Sequence, residues 1–440
     1  MAMGRRKSQQ ETMWVAARQL PRSPRSPGRV FYDKLNAVLE AGGFDRFVGA
    51  LCAAHYAEDV GRPSIPPGVY FRMLFVGYFE SLESQRAIAW RCADSLSLRS
   101  FLRVDLTKGT PDHSSMTNTR QRLPEEVFWQ VFAFVLRVAV AHRLLKGQTI
   151  AVDSTTQEAN AAMKALVHRV TDEDWKTYVR GLMKAEGIED PSDDEVRRLD
   201  RKRKKKTSNQ EWKSATDPDS RIMKMKDGRT HLAYKAEHAV ELGSGLIVAP
   251  VIYRDDDGDA ETLPVTVEMA REQLRAADSP HHVDEVVGDK GYHKAETLQT
   301  LAEAEQVRAY ISEPKRGRRK WQDKPAGQQS AVYANRRRIR GERGRRLGRQ
   351  RSEQAERSFA HTCETGGGRR AWLRGVVNVS KSHLMRVAAC NLGIIMLAVW
   401  GVGTPRSLQG ALGLLGVALF WLLWRHHSSR RPIARICWSC

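Results

Sequence analysis

Apolar residues recur in long helical stretches through the first third of the chain. FYDKLNAVLEAGG from Phe31, VYFRMLFVGYFE from Val69 and SQRAIAWRCADSLSLRSFL from Ser84 are apolar segments with polar interruptions, a pattern that predicts packed helices between 31 and about 103. A segment starting at Thr110 offers capping residues and then an apolar run from Val127 to Leu145. An α-helical domain over 31–146 follows, preceded by a flexible basic leader, 1–30, rich in Arg, Ser, Gln and Pro. Near 148 the texture becomes that of a strand, QTIAVDSTT; Ala159 to about Leu182 reads as helix, and 183–228 is strongly polar. Strand patterning returns at Thr230 in THLAYKAEHAVEL, followed by Gly243, Ser244, Gly245 and LIVAPVIY, which predicts a hairpin. ETLPVTVEMAREQLRAA then reads as a helix, VDEVVGD as a strand and KAETLQTLAEAE as a helix. The succession describes a mixed α/β core over 147–400 with an insertion at about 159–228, and an apolar then basic tail over 401–440.

Composition narrows the partners. The 440 residues are 41% hydrophobic and 28% charged, which excludes a mostly disordered or fibrous chain, and the net charge of +21 calls for a polyanion. Between Lys315 and Arg351, 15 basic residues stand against 2 acidic ones, a local balance of +13. This stretch holds Lys315, Arg316, Arg318, Arg319 and Lys320, then Arg336, Arg337, Arg338 and Arg340. A second run, Arg201, Lys202, Arg203, Lys204, Lys205 and Lys206, sits in the insertion. Both runs read as double-stranded DNA-binding surfaces that follow phosphates, or more simply as solvated loops. The short helices of the first domain form either a DNA-reading head or a scaffold for dimerisation. Six cysteines include one close pair, Cys437 and Cys440, and imply no disulfide framework. MAMGRRKSQQ lacks an apolar signal core, so the chain is expected in the cytoplasm, associated with the nucleoid. The 14 residues from Ala411 to Trp424 are apolar but short for a membrane span; they and the run from Met385 to Gly403 read as buried or interface helix.

Two acids end β-prone runs: Asp153 in IAVDS and Asp289 in VVGDKGY. Each alone reads as a turn or cap. Together they point to a shared cleft and a metal, with Gly291 allowing a tight turn and Tyr292 packing over it. A third oxygen ligand is sought in RSEQAERSFAH, where Glu353 and Glu356 stand three apart on nearly one helix face. Spacing alone leaves the choice between them open, with the other glutamate pairing to Arg351 or Arg357. Three carboxylates holding two divalent ions suit phosphodiester displacement.

AVDSTTQEANA at 151–161, RKRKKKTSNQEW at 201–212, DPDSRIMKMKDGRTHLAYKAEHAVE at 217–241, VVGDKGYHKAETL at 286–298 and RSEQAERSFAHTCETGGGRRAWLRGVVNV at 351–379 resemble the DDE transposases of bacterial insertion sequences. The likeness is to the IS5-related group, closest in texture to the IS1182 type, and covers roughly residues 31 to 400. It implies a ribonuclease-H-like catalytic core with Asp153, Asp289 and Glu356 as catalytic acids and ligands of Mg²⁺ or Mn²⁺. Glu356 is preferred because Glu356-Arg357-Ser358-Phe359 matches the context of the family's last acid better than Glu353 does; Arg357 would hold phosphate or brace Glu356. The family's activity is the binding of inverted repeats at element ends by a synaptic homo-oligomer, Mg-dependent endonucleolytic hydrolysis, and joining of 3′-hydroxyl ends to target DNA in DNA transposition and recombination. A metal-dependent nuclease without strand transfer, an inactive DNA-binding descendant and an anionic-membrane protein are the competing readings.

Overall fold

Local capping sets the first helices. The computed structural model describes residues 26–57, 64–203, 208–225, 228–254, 258–315, 321–322 and 324–406. Helix α1 (Pro27–Ala41) starts inside the expected leader, because the Ser26 side chain accepts from the Arg29 N–H and Pro27 presets the first turn. Next come α2 (Phe44–Cys52), α3 (Pro67–Phe79), α4 (Gln85–Asp94), α5 (Leu96–Leu102), α6 (His113–Arg122) and α7 (Glu125–Ala141). Ser84, Ser95 and Asp112 cap α4, α5 and α6 through their side chains. Helix α3 is buried nearly all round and carries Arg72 into the interior at 1% exposure. That charge is tolerated because Asp45 holds it with two oxygens at 2.6 and 3.1 Å, Asn36 accepts from it, and the rings of Phe44 and Phe101 flank it.

A six-stranded mixed sheet follows. Its centre is β1 (Thr149–Glu158), antiparallel to β5 (Thr230–Glu241) on one side and parallel to β7 (Glu285–Gly288) on the other. Strand β8 (Arg308–Ile311) extends the parallel side. On the far edge of β5, β4 (Arg221–Lys224) and β6 (Ile247–Tyr253) pair with successive segments, and the β5–β6 hairpin turns where Gly243, Ser244 and Gly245 predict it. One face, with Ala151, Leu242, Val287 and Tyr310, packs on Leu347 of α14 (Glu342–Phe359) and Ile339 of α13 (Ala326–Arg340). Ile150, Val152 and Val286 point the other way, into a core shared with α7 and α11 (Asp259–Ala276). Helix α12 (Ala295–Glu303) joins α11 and α13.

The insertion differs from expectation. Ala159–Leu182 is not one helix: β2 (Leu166–His168) pairs with β3 (Trp212–Ser214), and only after Asp174 caps the chain does α8 (Trp175–Ala185) begin. With α9 (Asp193–Lys202) and the single turn α10 (Ser208–Glu211), it closes over a small cluster of Val179, Met183 and Val196, in keeping with its polar composition. Lys204, Lys205 and Lys206, most of the leader, Arg316, Arg318, Arg319 and Lys320, the Ala411–Trp424 run, and Cys437 and Cys440 lie outside the described residues.

Helix α15 (Val376–Trp400) takes up most of the run from Met385 to Gly403. It is the one helix among the described residues long and apolar enough to span a bilayer, yet 67% of its most apolar window is buried against protein. It packs on α3, α7 and β6, so a single core runs through the helical domain and the sheet. Two of the three outer strands, β6 and β8, are each held at one residue by an asparagine from a helix. Asn391 of α15 accepts from the Ile247 N–H at 3.0 Å and donates to the Ile247 carbonyl at 2.8 Å, on β6. Asn335 of α13 does the same for Ile311 on β8, at 2.9 and 2.8 Å. Each side chain satisfies an edge that would otherwise pair with another chain. Replacing Asn391 by Leu leaves two buried backbone groups without partners and should lower stability by about 2–4 kcal/mol, read as a drop in the urea midpoint; an unchanged midpoint would remove the clamp from the account.

Candidate active site

Asp153 does not end its strand, since β1 runs on to Glu158; it is β7 that stops, at Gly288. The two strands pair in parallel with a constant offset of 136 residues, Thr149 opposite Glu285 and Ala151 opposite Val287. Continuing that offset sets Asp289 level with Asp153. Both acids therefore stand where the parallel ladder ends. The Asp153 carboxylate accepts from the Ser154 N–H at 3.0 Å and pairs with Arg351 at 2.7 Å, the two side chains being 23% and 15% exposed. Asp289 accepts from the Gly291 N–H at 2.7 Å.

A third acid lies beside them, and it is Asp259, in the first turn of α11. Its Oδ1 accepts from Ser154 Oγ at 2.9 Å and pairs with Lys235 at 2.9 Å. A Cβ at Gly291 would stand 2.7 Å from Oδ2 of Asp259 and 3.0 Å from Oδ1 of Asp289. Gly291 is therefore required by the close approach of two carboxylates, and its φ lies outside the left-handed region. The only sequence signal for Asp259 was the acidic run at 255–259, just before a helix in a basic chain. Tyr292 does not cover the turn from outside. It is fully buried and donates to Glu237 at 3.1 Å. Glu237, at 0% exposure, also accepts from Thr262 at 2.8 Å and from Thr266, with Lys235 at 3.5 Å. Burial raises the Glu237 pKa against the opposing pull of Lys235 and the hydroxyls, and burial raises that of Tyr292, with Glu237, Asp259 and Asp153 adding to it.

Helix α14 crosses the Asp153 face of the sheet and buries Gly344, Leu347, Ala355 and Ser358. Glu353 and Glu356 are consequently on its exposed side; Glu353 pairs with Arg357 at 3.0 Å. Among the described residues no group of three or more His, Cys, Asp or Glu side chains is already set to hold a metal ion. What the ERSF run does hold is the helix end. Phe359 stacks on His238 of β5 with centroids 4.2 Å apart, and Ser358 Oγ lies 3.1 Å from His238 Nδ1. Ser358 donates to the Ala355 carbonyl, so His238 Nδ1–H donates to Ser358; His238 Nε2 then accepts from His383 Nε2–H of α15 at 2.9 Å.

The basic runs divide. Arg336 makes a two-point pair with Glu313, Arg338 donates to the Ala309 carbonyl over Tyr310, and Arg203 is held by Asp200 and Glu211. Arg201, Lys202, Lys315, Arg337, Arg340 and Arg357 face solvent.

Residues 21–122 match the family model described as Transposase domain (DUF772), and residues 187–392 match the Transposase DDE domain. The two matches support a DDE transposase of the insertion-sequence families. No curated protein and no solved structure matches the chain.

Burial lowers His238 from 6.5 to about 3, and burial lowers His383 as well, with His238 and Arg386 adding to the effect. The unfolded chain protonates both near pH 6.5, so it binds more protons than the folded one. Stability is then complete above about pH 6.5 and falls as pH drops toward 3, by up to about 1.4 kcal/mol per pH unit for each histidine. Urea unfolding between pH 7.5 and 5.5 should show this slope, and the double variant His238→Asn, His383→Gln should flatten it.

Proposed function

We propose that this chain is a DNA transposase of the IS5-related, IS1182-like type, which cleaves at its element ends by metal-dependent hydrolysis and joins the 3′-hydroxyl ends to target DNA. The observation that carries the reading is the level placement of Asp153 and Asp289 at the end of a parallel ladder, beneath a helix that bears Glu356. The sheet order supports a ribonuclease-H-like core: a hairpin antiparallel to a central strand, then two parallel strands beyond it.

Hard oxygen donors on neighbouring strands fit a hard divalent cation, and Asp153 already draws a cationic group, Arg351, to one oxygen. Asp153 and Asp289 would hold Mg²⁺ or Mn²⁺, with Glu356 as the third acid; Glu353 is engaged by Arg357. When bound, such ions supply activation of the attacking hydroxyl and charge neutralisation at the leaving oxygen. The chain's own work is positional. Arg351 steadies the Asp153 carboxylate, Lys235 and Ser154 hold Asp259 beside it, and the Phe359–His238 stack anchors the helix that carries Glu356. Exposed Arg337, Arg340, Arg201, Lys202 and Lys315 would follow the DNA backbone, with Arg357 near the third acid. Binding of two ends by a homo-oligomer at the nucleoid completes the proposal.

Asp153→Asn, Asp289→Asn and Glu356→Gln should each lower Mg-dependent cleavage and joining roughly a thousandfold while leaving DNA binding intact. Glu353→Gln should cost little. The assay uses the DNA ends that flank the gene; parent-like rates in the first three variants would dismiss the metal mechanism, and loss confined to Glu353→Gln would exchange the third acid.

A further inference from the structure

Helix α14 turns a stripe of small and apolar side chains to the sheet, Gly344, Leu347, Ala355 and Ser358. Arg351 falls in that stripe, four residues beyond Leu347 and four before Ala355, and is its one charged member. Its Nη2 stands 2.7 Å from Oδ1 of Asp153, the same oxygen that accepts from the Ser154 N–H. The pair is not the best an arginine can make. Nε of Arg351 is buried without a partner, whereas Nε and Nη2 of Arg336 both reach Glu313. A planar guanidinium gains most from two parallel bonds, so Arg351 has more to gain from an acceptor that offers them. At 15% exposure its side chain is also not sealed from solvent.

The position matters because Arg351 and a divalent cation compete for one carboxylate. A carboxylate already paired with a guanidinium holds a second cation less tightly, since the two positive charges repel each other. Asp153 therefore serves a metal at full strength only once Arg351 has turned away. The same helix points to what turns it. Arg345, Arg346 and Arg349 stand exposed on the turns that lead to Arg351. An exposed basic row attracts a phosphodiester backbone, and phosphate oxygens are a two-point acceptor that matches the guanidinium fork.

We propose that Arg351 is a latch on the acid site: in the chain alone its guanidinium takes the cation position at Asp153, and a DNA phosphate seated along α14 draws it off, so that metal loading waits for DNA. The inference rests on the transposase reading, which puts the metal at Asp153. It adds that DNA and the metal strengthen each other's binding, because each takes one partner of the same ion pair. Arg351 acts through Asp153 and is a positioning residue. An arginine that only braced the carboxylate would have the opposite signature, weaker metal binding on its removal.

Mn²⁺ titration of the full chain without DNA, followed by the electron paramagnetic resonance of the unbound ion, is the test. Arg351→Gln should bind Mn²⁺ at least about tenfold tighter than the parent, and Arg351→Lys, which keeps the charge, should stay near the parent. Asp153→Asn should remove the gain from the Arg351→Gln background. A second measurement, on the parent, holds if Arg351→Gln misfolds. At constant ionic strength, with Ca²⁺ instead of Mn²⁺ to hold back cleavage, the metal should tighten binding of a fluorescent duplex by the parent severalfold more than by Asp153→Asn. Arg351→Gln should lose most of that difference. Equal or weaker Mn²⁺ binding by Arg351→Gln, a gain that survives Asp153→Asn, or Ca²⁺ tightening that is absent from the parent or undiminished in Arg351→Gln would each overturn the latch. Mn²⁺ binding that is lost in Asp153→Asn but not gained in Arg351→Gln would sink the latch alone and leave the transposase reading standing; binding unchanged in Asp153→Asn would sink both.

Discussion

The position of every group near the acids depends on β1 being paired on both sides. Its antiparallel ladder with β5 runs from Ile150 to Glu158, and its parallel ladder with β7 from Thr149 to Ala151. The first sets which face Asp153 occupies and brings His238 opposite it; the second sets the height of Asp289. A slip of one residue between β1 and β7 would bring Gly288 or Lys290 level with Asp153 and reverse the faces of Val286 and Val287. The long reach of β5 enforces the antiparallel register. It is bonded along one edge to β1 and along the other to β4 and β6, which fixes β1 against the antiparallel half of the sheet, while the β7 register rests on its own pairing with β1 and β8.

Positive charge has two distinct roles in this chain. Part of the balance of +13 between Lys315 and Arg351 is internal: Arg336 holds Glu313, Arg343 holds Glu285 and Arg351 holds Asp153. Glu285 is nearly buried, so the arginine there stabilises the base of β7. Its carboxyl pKa is pushed up by burial, but pulled down further by Arg343, Thr149 and Tyr310, for a net lowering. What remains for a polyanion is the exposed row on α13 and α14, including Arg337, Arg340, Arg345, Arg346 and Arg349. Counting charge along a sequence cannot separate the two roles, because two of the acids that consume the internal share, Glu285 of β7 and Asp153 of β1, are distant in sequence, and Glu313 just past β8 lies outside the counted stretch.

Elements with strong local signals were legible: the capped helices, the β5–β6 hairpin, α11, β7 and α12. Those set by partners elsewhere were not. Strand β2 takes its conformation from β3, more than forty residues later, and β8, four residues long, is defined by β7. Asp153 and Asp289 could be picked out because each follows a β-prone run. Asp259 stands two residues before the helix read from Glu261 and was not singled out; only the fold brings its carboxylate to Gly291. For α14, a three-residue spacing placed Glu353 and Glu356 near one another but carried no information on which side faces the sheet. The packing of Leu347, Ala355 and Ser358 decides that.

The two asparagine clamps differ in one respect, the length of chain between strand and clamp. Asn335 follows its strand residue by 24 positions, Asn391 by 144. On a ribosome adding about 5–20 residues per second, the β8 border is sealed within seconds of its synthesis, whereas the β6 border waits on the order of ten seconds or more for its helix. During that interval the nascent chain presents the outer edge of a strand of Ile, Val and Ala, paired on one side only, beside an unfinished core. A messenger broken or frameshifted before codon 376 would fix the protein permanently in that sticky form. Among the described residues α15 is thus the final helix to be made and the one that closes the core over β6.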